Sequence, residues 1–67
     1  MANVKERFSE KEMRYKHCKM FLVKKGITQR DVAEHFGIGE AFVSKFIKGE
    51  AWSQRVADFF GYKRDLN

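Results

Sequence analysis

No proline occurs anywhere in this chain, and its five glycines stand at Gly26, Gly37, Gly39, Gly49 and Gly61. The sequence is therefore cut into pieces of helical length, with a permissive residue at each cut and no obligatory breaker inside a piece. The pieces carry their own start signals. Ser9 and Glu12 have the spacing of a capping box, in which a hydroxyl accepts from the amide three residues on while the carboxylate reaches back, and Phe8 and Met13 stand where a hydrophobic staple joins them. Thr28 and Asp31 repeat the arrangement with Ile27 and Val32 as the staple. Gly39 serves as the next N-cap, with Ile38 and Val43 bracketing it, and Ser53 as the last. Gly49 and Gly61 fall where a left-handed C-terminal stop belongs. The signals predict an all-α fold of four helices, at about residues 10–25, 29–36, 40–48 and 54–60. Residues 1–8 read as a flexible arm, 9–62 as a single domain and 63–67 as a polar tail.

With 67 residues the core is modest, and a chain of this size is commonly stapled by disulfides, a metal or a second subunit. Cys18 is the single cysteine, so no internal disulfide is available, and a reducing, cytoplasmic setting is expected. A homodimer is the natural remaining aid. The longest uninterrupted apolar run, Met20 to Val23, is far below the ~20 residues of a membrane span, and a secretory leader is not expected. Fourteen Lys and Arg against nine Asp and Glu leave a formal charge of +5, which favours an acidic partner, nucleic acid before an anionic membrane surface.

Only residues 37–39 separate the second and third helices, both short, and this spacing makes the pair cross steeply instead of folding back as a hairpin, the layout of a helix-turn-helix. Ala33 is expected at the crossing, where a small side chain permits close approach. Val32, Phe36, Ile38, Val43, Phe46 and Ile47 fall on the inward side, and Gly37 supplies the positive φ of the turn.

The stretch TQRDVAEHFGIGEAFVSKFIKG resembles the helix-turn-helix of the lambda-repressor and Cro group of phage and bacterial transcriptional regulators. The resemblance rests on Gln29 opening the first helix, Ala33 within it, Gly37 in the turn, Ile38 after it, and Val43, Phe46 and Ile47 in the second helix; Cys18, Phe21 and Leu22 match the group's inward first-helix positions. It spans about a third of the chain, and where family members often have five helices this chain shows signals for four. The resemblance implies a small lambda-repressor-like DNA-binding domain with residues 40–48 in the major groove of an operator. Glu40, Ala41, Ser44, Lys45 and Lys48 would then face the bases: Lys45 toward guanine O6 and N7, Ala41 toward a thymine methyl, Glu40 toward the cytosine amine, with Ser44 permissive. Lys25, Thr28, Gln29, Arg30 and again Lys48 would meet the sugar-phosphate backbone, Gln29 also supporting Glu40. A homodimer would recognise an inverted repeat with half-sites about 10 bp apart.

Each of these residues has a plainer reading. Glu40 can simply complement the positive end of its own helix. Lys45 and Lys48 can be a solvated face, and Arg30 can pair with Glu34 at i+4. The basic run Lys11, Arg14, Lys16 and Lys19 reads as solvated surface. Seven Phe, two Tyr and one Trp exceed what four short helices readily hide, so apolar surface is expected to remain, and Trp52, Phe59, Phe60 and Tyr62 are candidates for a dimer interface, with core packing the alternative for Phe59 and Phe60. Phe42 stands where family members often carry a small or polar residue. His17, Cys18 and His35 lack zinc-site spacing, and no phosphate loop, acid pair or activated nucleophile is present, so neither metal, cofactor nor small-molecule substrate is expected and the chain does not read as an enzyme. The functional expectation is a repressor from a phage, plasmid or other mobile element, acting on double-stranded DNA in the cytoplasm at the nucleoid. The alternatives are a DNA-binding accessory factor, excisionase-like or regulating transposition, and a protein-binding module on a helix-turn-helix scaffold.

Overall fold

A computed structural model of the protein describes residues 9–63. The expected arm at 1–8, including Phe8 of the first staple, and residues 64–67 of the expected tail lie outside the described residues. Four helices follow in order: α1 (Glu10–Lys25), α2 (Gln29–Phe36), α3 (Glu40–Ile47) and α4 (Gln54–Phe60), with no strand among the described residues.

The local signals place the ends. The Ser9 hydroxyl accepts from the Glu12 amide at 3.2 Å to open α1. At α2 the capping box is complete: Thr28 Oγ1 accepts from the Asp31 amide at 3.2 Å and the Asp31 carboxylate accepts from the Thr28 amide at 2.9 Å. Gly39 opens α3 without a side-chain bond, and Ser53 caps α4 through the Val56 amide. The third helix ends one residue earlier than expected. Lys48 is its C-cap in right-handed conformation, and the left-handed reversal falls on Gly49 at φ 84°.

Every helix contributes to one core: Cys18 and Leu22 from α1, Val32 and Ala33 from α2, Val43, Phe46 and Ile47 from α3, and Val56, Ala57 and Phe60 from α4. The most extensive pairwise contact is between α2 and α3, while α1 packs on both α3 and α4. Phe36 and Ile38, expected inward, are half-buried against the core. Phe42 is half-buried too, and with Phe36, Ile38, Gly39, Ser53, Arg55 and Val56 it walls an open hollow of about 350 Å³ between the α2–α3 link and α4. Its ring packs in part against the core.

Arg14 corrects the reading of the basic run in α1. It is 2% exposed, and its guanidinium is the largest fully buried side chain of the domain. Its charge is matched by Glu10 in a two-pronged bond, Nε to Oε2 at 2.8 Å and Nη2 to Oε1 at 2.6 Å. Nη1 donates to the carbonyls of Phe46 at 3.1 Å and Ala51 at 2.8 Å, which tie α1 to the end of α3 and the link beyond it. Aromatic rings complete the shell: the guanidinium carbon lies 5.1 Å from the ring centres of Phe46 and Trp52 and 5.9 Å from that of Tyr62. The Tyr62 hydroxyl donates to Glu10 Oε2 at 2.5 Å.

The aromatics near the C-terminal end thus have work inside the monomer. Phe60, named as an interface candidate, is instead core at 1% exposure, with its ring stacked 6.0 Å from that of Phe46. Phe59 packs edge-on against Phe21 and Phe36, and Trp52 and Tyr62 seal the Arg14–Glu10 pair; all three are half-buried. Large apolar side chains do remain exposed, but on the outer face of α1, at Tyr15 (45%), Met20 (58%) and Val23 (78%).

Two weakly acidic groups respond to this environment. Desolvation pushes the Cys18 thiol up to about 12, outweighing the nearby Arg14 charge, and desolvation followed by the bond to Glu10 raises the Tyr62 phenol to about 12. Both values lie above the ordinary ones of 9.0 and 10.0, so the fold favours the protonated forms. Their contribution is whole below pH ~9 and is lost as pH climbs toward ~12. Melting temperature is expected to decline over that interval, and to decline less steeply for a Cys18→Ala/Tyr62→Phe double variant; parallel profiles would remove the two groups as the cause.

Candidate nucleic-acid interface

The outward edge of α3 follows from helical period. Val43, Phe46 and Ile47 are drawn into the core, which turns Glu40, Ala41, Lys45 and Lys48 to the exterior, and all four are exposed. Ser44 lies between the two sides and is half-buried. This edge offers a carboxylate at the helix start, a methyl, a hydroxyl and two ammonium groups, a set of acceptors, donors and apolar contact that matches what base edges present. Glu40 also sits in the first turn of α3, where the unsatisfied amides favour negative charge.

At the start of α2, the capping box uses the amides of Thr28 and Asp31, so the first-turn amides of Gln29 and Arg30 are the ones left directed outward for an anion. Thr28 Oγ1 is already an acceptor within the box, and its hydrogen is what it has to donate. Gln29 is half-buried and Thr28 exposed. Arg30 is exposed and pairs with Glu34, Nε to Oε1 at 3.5 Å, as its i+4 spacing suggests; an exposed pair of this kind is worth at most about 1 kcal/mol and yields readily to a stronger anion. Lys25 closes α1 with its ammonium 5.7 Å from the centre of the Phe21 ring, where it complements the carbonyl end of that helix.

Lys48 has neighbours that the sequence did not assign to it. It shares an open hollow of about 270 Å³ with Lys11, Glu12, Tyr15 and Lys16 of α1. Nearby, the turn after α3 presses on α1 at Gly49: a side-chain carbon there would lie 2.5 Å from Lys11 Cγ and 3.2 Å from Lys11 Cα. Arg14 is the other residue missed. Its signal was the spacing Arg14, Cys18, Leu22, which lies along one stripe of α1; its charge argued against reading that stripe as continuous.

His17 is held at the far side of α1, with Nε2 2.7 Å from the Phe60 carbonyl at the end of α4 and its ring against Tyr62. Among the described residues no three His, Cys, Asp or Glu side chains converge as a metal site, and no helix is long and apolar enough to cross a membrane. Comparison of the chain with protein-family models, with curated proteins and with solved structures gave no match.

Proposed function

We propose that the protein is a sequence-specific binder of double-stranded DNA that regulates transcription, most simply as a repressor occupying an operator that overlaps a promoter. The observation that carries this reading is the exposed edge Glu40, Ala41, Lys45 and Lys48, with Ser44 beside it, on a short helix anchored by Val43, Phe46 and Ile47 and joined through residues 37–39 to a second short helix. In this reading α2 and α3 are the helix-turn-helix. Lys45 and Ala41 discriminate bases, each good contact being worth ~1–3 kcal/mol. Gln29, Thr28 and the amides at the start of α2 hold phosphates and fix the register without reading sequence. The formal charge of +5 supplies the long-range attraction.

Two copies binding as a homodimer would double these contacts on an inverted repeat. Phe59 and Tyr62 are half-buried, and the part of each ring left exposed would serve that pairing.

A gel-shift titration across salt concentration tests the reading. Affinity for duplex DNA is expected to fall steeply and linearly on logarithmic axes as salt rises, with a slope of about −0.9 for each phosphate neutralised. A nearly flat response would direct attention to a protein partner instead.

A further inference from the structure

Three lysines line the hollow between the first turns of α1 and the end of α3. Lys11 and Lys16 come from α1 and Lys48 from the C-cap of α3, with Tyr15 and the acidic Glu12 completing the lining. The arrangement is fixed by backbone. Gly49 lies against Lys11, and Arg14, one helical turn along α1, grips the carbonyls of Phe46 and Ala51 on either side of that glycine. The backbones that carry these lysines are therefore held together.

Lys48 also belongs to the outward edge of α3, four residues after Ser44 and three after Lys45. The hollow is thus continuous with the candidate interface. The ammonium groups and a phenol able to donate are the chemistry of a phosphate contact, set on a floor of lysine stems and the Tyr15 side chain.

We propose that the DNA-binding surface continues from Lys48 onto α1, with the sugar-phosphate backbone bordering the groove occupied by α3 lying across this hollow and one or two of its phosphates held by Lys11, Lys16 and Lys48. This rests on the DNA-binding reading above and extends it to a helix outside the α2–α3 pair. Glu12 opposes the contact, so the surface is charge-tuned and its affinity is below what the lysines alone would give.

The test is a salt titration by fluorescence anisotropy with a labelled duplex of random sequence, which reports backbone contacts without base readout. Lys11→Gln/Lys16→Gln keeps the aliphatic stem that packs on Gly49 and removes two charges; Lys24→Gln/Lys63→Gln removes the same charge from elsewhere on the surface. The first pair is expected to make the salt slope shallower by about 1–2, at about 0.9 per phosphate contact, and the control pair to leave it nearly unchanged. Glu12→Gln, which retains the backbone amide that Ser9 caps, is expected to tighten binding. Equal slopes for the two lysine pairs, or no gain from Glu12→Gln, would overturn the extension while leaving the α3 reading standing. Failure of the unaltered protein to bind the duplex with any salt dependence would remove both.

Discussion

Replacing Arg14 with alanine is expected to remove about 3–5 kcal/mol of folding stability, the usual consequence of breaking a buried ion pair from one side. The loss has several sources acting together. The Glu10 carboxylate loses the Arg14 charge, the Phe46 and Ala51 carbonyls lose a donor, and the rings of Phe46 and Trp52 lose a cation 5.1 Å from each centre. A domain of this size rarely holds more than about 3–5 kcal/mol in total, so the variant should be largely unfolded at room temperature. Arg14→Lys should recover only part of the loss, because one ammonium cannot span the carboxylate fork and both carbonyls. Arg14→Met, which restores much of the volume, should remain clearly destabilised, since Glu10 and the Phe46 and Ala51 carbonyls still lose the Arg14 donors. Urea denaturation followed by circular dichroism measures all three; a shift below about 0.5 kcal/mol for Arg14→Ala would return the residue to the surface role its charge first suggests.

The second large effect belongs to Gly49. Alanine there is expected to cost about 2–4 kcal/mol, combining ~1–2 for an L-residue at φ 84° with a similar strain from contact with α1. The clash cannot be relieved by rotating the Lys11 side chain alone, because Lys11 Cβ and Cα lie 3.0 and 3.2 Å from the added carbon. Gly61→Ala provides the comparison: Gly61 has φ 65° and nothing within 4 Å among the described residues, so the conformational cost dominates. Gly49→Ala should therefore unfold at distinctly lower urea than Gly61→Ala. If the two coincide, close approach at Gly49 contributes nothing, and the fixed spacing between Lys48 and α1 loses its basis.

What could be read from the sequence was what the sequence decides locally. Helix ends depend on caps within three or four residues, and Ser9, Thr28, Ser53 and the glycines placed them to within a residue. The inward and outward sides of α3 followed equally well from its period, since Val43, Phe46 and Ile47 leave little choice about where Lys45 and Lys48 point. Arg14 was misread because its partners are distant in sequence: Phe46, Ala51, Trp52 and Tyr62 come to it only after the chain has folded back, and a charge four residues from Cys18 resembles solvated surface until they do. The same non-local packing occupied the C-terminal aromatics and left Tyr15, Met20 and Val23 as the large apolar side chains exposed among the described residues. The meeting of Lys11, Lys16 and Lys48 was illegible for a related reason, since it depends on how closely the turn at Gly49 seats on α1.

Selection of bound sequences from a random duplex pool tests the central claim most directly, that the outward edge of α3 reads base pairs. The account predicts enrichment of an inverted repeat with half-sites about 10 bp apart, loss of preference at one position per half-site for Lys45→Ala, and nearly uniform weakening across all sites for Gln29→Ala. A pool that shows no enriched sequence, or the same preferences after Lys45→Ala as before, would contradict it.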